Sequence, residues 1–355
     1  MLKVLGSWMN RYFGEEEAVL LTVLLAIILV ALITLGEILA PFIASLIFAF
    51  LLQGGVNRLV LCRVPRRMAV VIIFLLFLGI FSAVLVVLLP LIGRQALNLA
   101  NKVPVMFEHW QSMLLVLSEQ FPEIFSASQI KDILSQASKE LGGIAQHLVS
   151  FSLNTFPSIL ALILYAILVP LLVFFMLKDK DKLLEFTSSL LPSKRPMMWK
   201  IWHEMNAQMA NYVRGKAIEI LIIGFASYAS FLALDLNYAA LLALLVGLSV
   251  VVPFIGALLV TIPVVMVAYF QWGWGSDLFL LLGVYAIIQG LDGNVLVPLL
   301  FSEAVNLHPV AIILAVIVFG GFWGFWGVFF AIPLATLVKA LYGAWPRSAS
   351  VVPGS

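Results

Sequence analysis

Ionisable side chains are scarce in this sequence. Of 355 residues only 11% are Asp, Glu, Lys or Arg and 63% are hydrophobic, against about 25% charged in a soluble domain. That balance excludes a single soluble core. One cysteine, Cys62, excludes an intrachain disulfide, and its place in a basic loop reads as a lone thiol on the reducing side. A net charge of +2, with the basic residues confined to a few segments, argues against nucleic acid as a partner. Catalytic signatures are missing as well: no GxSxG, HExxH, phosphate loop, CxxC or intramembrane Gly-Asp pair is present. No enzyme, metal or cofactor is expected. The N-terminal MLKVLGSWMNRYFGEEEAV lacks a cleavage signal, and the closing SVVPGS reads as a tail.

What is present is apolar length. Runs at residues 18–35, 38–53, 68–90 and 154–177, and the C-terminal half of a helix over about 199–234, each approach the 20 residues that cross a hydrocarbon core of about 30 Å. The first two, joined at Gly36 and Glu37 with Pro41 in the next turn, read as an antiparallel pair. Arg58, Arg63, Arg66 and Arg67 follow the second run, and Lys178 to Lys216 follow the fourth. The positive-inside rule makes both cytoplasmic, together with the two termini. Residues 91–153 then lie outside, where apolar residues at helical spacing mixed with Glu, Gln, Ser and Lys predict a small helical domain of two or three amphipathic helices.

From Ala217 to Val338 there is no lysine or arginine, although Glu219, Asp235, Asp277, Asp292 and Glu303 are there. Cationic partners must come from elsewhere. Residues 238–271 and 309–342 are too long for one span and short for two, so each predicts a re-entrant helical hairpin, with short tilted full spans as the alternative. The tips are VVPFIGA, with Pro253 and Gly256, and FGGFWGFWG, with Gly320, Gly321, Gly324 and Gly327. Glycine and proline break helices there. The descending arms repeat weakly, Gly256 to Pro263 against Gly327 to Pro333 with one residue of slippage. Two hairpins from opposite faces, meeting near the midplane, follow the inverted-repeat logic of secondary transporters.

The fold class is therefore an all-α polytopic membrane protein with about six full spans, two re-entrant hairpins and a small extracytoplasmic helical domain. Its segments run 1–90, 91–153, 154–234, 235–345 as the transport region, and 346–355 as tail. Asp292, with Gln289 and Asn294, sits where Gly293 and Pro298 interrupt a helix, which suggests either a pathway or a cap on the following turn. Glu303 and His308 read as an ordinary loop before Pro309, or as pathway residues of which His308 could carry a proton. Glu219 reads as an interface pair with Lys216. Trp323 and Trp326, with Trp272, Trp274 and Trp345, fit interfacial anchoring, or gating at the glycine-rich tip.

Pro253-Phe-Ile-Gly256, Leu-Asp-Gly-Asn-Val-Leu-Val-Pro298, Asn306-Leu-His-Pro309, Gly324-Phe-Trp-Gly327 and Ile332-Pro333 together resemble the autoinducer-2 exporter family of bacterial membrane proteins. The likeness extends through Phe175-Met-Leu-Lys-Asp179 and Asn211-Tyr-Val-Arg-Gly-Lys216. It implies a multi-pass inner-membrane protein that transports a small solute or ion, with autoinducer-2 export or sodium/proton exchange among the family's roles. Elevator-like movement and a homo-oligomer, a pentamer by that likeness, are implied too. The expectation is a secondary transporter or permease, with a sodium/proton exchanger and a non-transporting scaffold of envelope assembly as its rivals.

Overall fold

The computed structural model describes residues 16–120, 155–192, 195–253, 255–301 and 307–344. All of its regular elements there are helical: α1 (Glu16–Leu61), α2 (Arg66–Ala83), a π-helical turn (Val84–Leu88), α3 (Leu89–Gln120), α4 (Thr155–Lys178), α5 (Lys180–Ser189) and α6 (Pro196–Ala233) come first. Then follow α7 (Ala239–Ser249), α8 (Ile255–Trp272), α9 (Ser276–Leu291), a second π-turn (Asp292–Leu296), α10 (Val297–Phe301), α11 (Pro309–Phe329) and α12 (Ala331–Ala344). Seven stretches among the described residues are long and apolar enough to cross a membrane. Two of these, α8 and α11, are arms of helical hairpins and are themselves long enough to cross; the other five, with α4 and the α5 it turns into, fall on the six runs expected as full spans. Their large apolar side chains point outward, as at Ile38, Leu61, Val86 and Phe225, because a bilayer solvates them as well as a core would.

The first two apolar runs are not separated by a loop, since α1 stays helical through Gly36 and Glu37. It is not straight, however. Glu17 Oε1 accepts a hydrogen bond from Met198 N at 2.6 Å, and a Cβ on Gly54 would stand 3.8 Å from Arg214 Nε. Those partners are about 24 Å apart along α6, whereas a straight α1 would separate Glu17 from Gly54 by about 55 Å. The bend brings both runs onto α6. Glu17 also finishes the first turn of α6, whose own N-cap, Arg195, makes no side-chain cap, and a carboxylate is favourable at a helix N-terminus.

The chain likewise remains helical past residue 91, through α3 to Gln120. The remainder of the expected outer domain, 121–153, lies outside the described residues, as do the N-terminal segment before residue 16 and the tail. Where α3 is described it closes one end of the bundle. Gln95 Oε1 accepts from Leu241 N at 2.8 Å at the start of α7, and Leu99 and Met106 pack with Phe231, Leu278 and Leu281.

Both π-turns end two residues before a proline, Leu88 before Pro90 and Leu296 before Pro298. Proline has no N–H and its ring collides with the carbonyl four residues back; one widened turn relieves that collision without ending the helix. The expected break at Asp292 is thus a bulge in a continuous helix rather than unwound backbone. At the other polar end α5 leaves α4 at 80°, and Arg66 of α2 pairs with exposed Asp181 of α5. The Arg66 hydrogen bond is the main reason that the Asp181 carboxyl is held below its ordinary value.

Candidate functional site where two hairpins meet on one helix

Two helical hairpins approach α6 from opposite ends. The α7/α8 pair opens beside the C-terminal end of α6, where Gln271 donates to Asp235 O at 2.7 Å and accepts from Asn237 N at 2.8 Å. The α11/α12 pair opens beside its N-terminal end, where Leu337, Leu341 and Ala344 pack with Met197, Met198 and Ile201. Each tip is drawn tight by a glycine that tolerates no side chain. A Cβ on Gly256 would lie 1.8 Å from Ser249 O, and one on Gly327 would lie 1.8 Å from Phe319 O. Backbone reaches backbone seven residues back in one hairpin and eight in the other. The reversal of the second tip is at Gly324, with φ of 56° and ψ of −134°.

The tips converge on a single turn of α6. Tyr212 Oη donates to Phe329 O of the second hairpin at 2.7 Å, and Lys216 Nζ donates to Val250 O of the first at 2.8 Å. These residues are four apart, hence on one helix face, and Glu219 continues the face three residues on. Lys216 and Glu219 form an ion pair of 2.7 Å, with 5% and 2% of their side chains exposed. Phe301 completes the enclosure, its ring 5.1 Å from Lys216 Nζ and 5.9 Å from the Tyr212 ring. Val252 of the first tip packs among Ala315, Val316, Phe319 and Val328 of the second hairpin.

A second polar ladder runs along α9 with the same spacing: Tyr285, Gln289 and Asp292 match Tyr212, Lys216 and Glu219 at i, i+4 and i+7. Thr261 Oγ1 donates to Tyr285 Oη at 3.2 Å across from α8. Gln289 Nε2 and Asp292 Oδ1 are buried atoms without a hydrogen-bond partner. The π-turn carrying Asp292 packs against α6, and its carboxylate attracts Lys216 and repels Glu219. Lys216 is paired with Glu219 and lies within electrostatic reach of Asp292. The cluster holds surplus negative charge when both are ionised, and an open hydrogen-bonding position at Asp292 Oδ1 besides.

The residues expected from sequence divide sharply. Asp292, Gln289, Pro253 and Gly256 belong to this region, the last two as parts of the first tip. Asn294 turns back and donates to Gly290 O at 2.8 Å, holding the bulge that Pro298 imposes. His308 is exposed and accepts from Val310 N at 3.3 Å, so it caps α11 and leaves the loop reading in place. Glu303 lies outside the described residues. Of the tip glycines, Gly320 and Gly327 sit at close approaches and Gly324 at the reversal, while Gly321 faces open space. The Glu219–Lys216 pair expected from sequence forms, but it is buried in the site rather than snorkelling at an interface, and Tyr212 carries no signal in the sequence that marks it as part of the site. The available signal was Lys216 itself, the last cation before a long stretch with none.

Apolar helices with outward-facing exteriors, two helical hairpins and a buried ion pair where the hairpins meet mark a polytopic membrane protein of the permease type. The chain belongs to the AI-2E transporter family, whose profile matches residues 21–347. PerM of Escherichia coli (strain K12), a permease by its name alone, is 43% identical over 346 residues, covering 98% of each chain. YueF of Bacillus subtilis (strain 168) is 30% identical over 313 residues, 85% of this chain and 84% of its own. The AI-2 transport protein TqsA of Escherichia coli (strain K12) is 25% identical over 326 residues, 91% of this chain and 90% of its own.

Proposed function

We propose that the protein is a secondary transporter that moves a small solute or ion across the bacterial inner membrane by alternating access, with both termini cytoplasmic. The observation that carries this reading is the Lys216–Glu219 pair. Buried charge in a membrane protein is costly and concentrates on pathways, and here it also holds the carbonyl of a hairpin tip. Binding and release at Asp292 and Gln289 would compete for the same lysine. A substrate would thus be felt by both hairpins through α6. The mobile part in this reading is α6 to α12, and α1, α2 and α4, which share a separate apolar cluster around Val56, Phe77 and Val173, are the stationary part. An elevator-like shift of one against the other, in a homo-oligomer, fits that division.

A sodium/proton exchanger is favoured over other solutes by one feature, the excess of carboxylate over lysine in the cluster. The activity in the name of TqsA is that protein's, and autoinducer-2 is one member of the test panel. The test is flux into proteoliposomes across solutes and monovalent cations under imposed gradients. Flux above empty vesicles that falls with Asp292→Asn is expected, and no flux across the whole panel would refute the reading. Sodium movement that keeps its pH dependence in Asp292→Asn would refute the exchanger alone.

A further inference from the structure

A cavity of ≈ 450 Å³ opens between the end of α1 and the middle of α6, apart from the hairpin cluster. Two arginines line it, Arg58 and Arg214, together with Asn57. Neither arginine is in an ion pair among the described residues. Arg214 is instead held against the Phe50 ring, 5.7 Å from its centroid, which fixes the guanidinium while leaving its N–H groups for a ligand. Arg58 stands in the last turn of α1, directly before the basic stretch Arg63 to Arg67, so the cavity is at the boundary between basic and apolar surface. Its opposite wall is apolar and lipid-facing, with Ile218 45% and Leu221 70% exposed. Gly54 leaves the space open, since a Cβ there would meet only Arg214 Nε, at 3.8 Å.

We infer that this cavity binds an anionic phospholipid, its phosphate between Arg58 and Arg214 and its acyl chains along Ile218 and Leu221. Arginine forks match phosphate geometry, and basic pockets between membrane helices on the cytoplasmic side suit acidic headgroups. The apolar wall selects a lipid over a soluble phosphate. A lipid seated there would wedge between α1 and α6, beside but outside the hairpin cluster, and the inference does not depend on what is transported.

The experiment is native mass spectrometry of the full chain in detergent, titrated with phosphatidylglycerol or with phosphatidylcholine of the same acyl chains. Retention of phosphatidylglycerol is expected to fall about fivefold for Arg58→Gln and for Arg214→Gln, and about 25-fold for both together, at about 1 kcal/mol per arginine. Gly54→Leu keeps both charges but fills the cavity, and it too should lose the lipid. Intact folding of each variant is read from elution volume and melting temperature. Equal retention of the two lipids, or unchanged phosphatidylglycerol binding in the double variant and in Gly54→Leu, would overturn the inference. So would binding of glycerol 3-phosphate as tight as that of the lipid, which would make this a soluble phosphate site.

Discussion

Replacing Lys216 by methionine should damage this protein more than replacing Lys216 and Glu219 together. The single change leaves the Glu219 carboxylate, 2% exposed, without its cation and strands the Val250 carbonyl. Breaking a buried pair from one side costs about 3–5 kcal/mol, and a stranded buried acceptor about 1–3 kcal/mol. Both losses run through one ammonium group, so the larger range governs, and the apparent melting temperature should fall by roughly 5 °C. In Lys216→Met/Glu219→Leu the carboxylate is gone. Apolar replacement of a whole buried pair is neutral or stabilising by about 1–4 kcal/mol, which offsets the Val250 carbonyl, so the double variant should regain at least half of the loss. Transport should remain abolished despite the regained stability. The assay is the fraction of monodisperse protein left after heating in nanodiscs, with flux measured alongside. A single variant melting within about 2 °C of the parent, or a double no better than the worse single, would show that the pair is not the electrostatic centre described above.

Gly256→Ala and Gly327→Ala should each open a hairpin tip and abolish flux, since their Cβ atoms would stand 1.8 Å from a carbonyl oxygen, while Gly321→Ala should be tolerated. Tyr212→Phe keeps the ring packing and removes the donor to Phe329 O, so a loss of about 1–3 kcal/mol is expected in thermal denaturation. The Arg66–Asp181 pair is exposed, and salt should weaken it. Because the Asp181 carboxyl is held below its ordinary value, its stabilisation is present above that value and lost as pH falls through the lowered one. Asp181→Asn should therefore melt slightly earlier than the parent at neutral pH and low salt, and the difference should vanish in strong acid or high salt.

The fold was legible because bilayer chemistry writes on sequence directly. Length and apolarity mark the spans, and glycine and proline mark both hairpin tips. Gly36 and Glu37 misled because a helix can bend without a loop, and the bend of α1 is set by partners on α6 that lie far away in sequence. Asp292 misled in a smaller way, since Pro298 widens a turn where a break was expected. The site was legible only in half. The α9 ladder could be seen because polar residues stand out among Leu and Val, whereas Tyr212 and Lys216 lie at the edge of a polar, basic segment and look like more of it. What distinguishes them is burial, and burial depends on which hairpin tips arrive there.

The two donors that hold the tips are one helical turn apart on a single helix. Along the axis of α6, Tyr212 and Lys216 differ by about 6 Å, and they point the same way. Turning α6 about its axis would withdraw both hydrogen bonds at once, and sliding it by a turn would bring one tip the other's donor and leave the second facing Gln208 or Ile220. The hairpins, though built separately and arriving from opposite ends, thus share one latch.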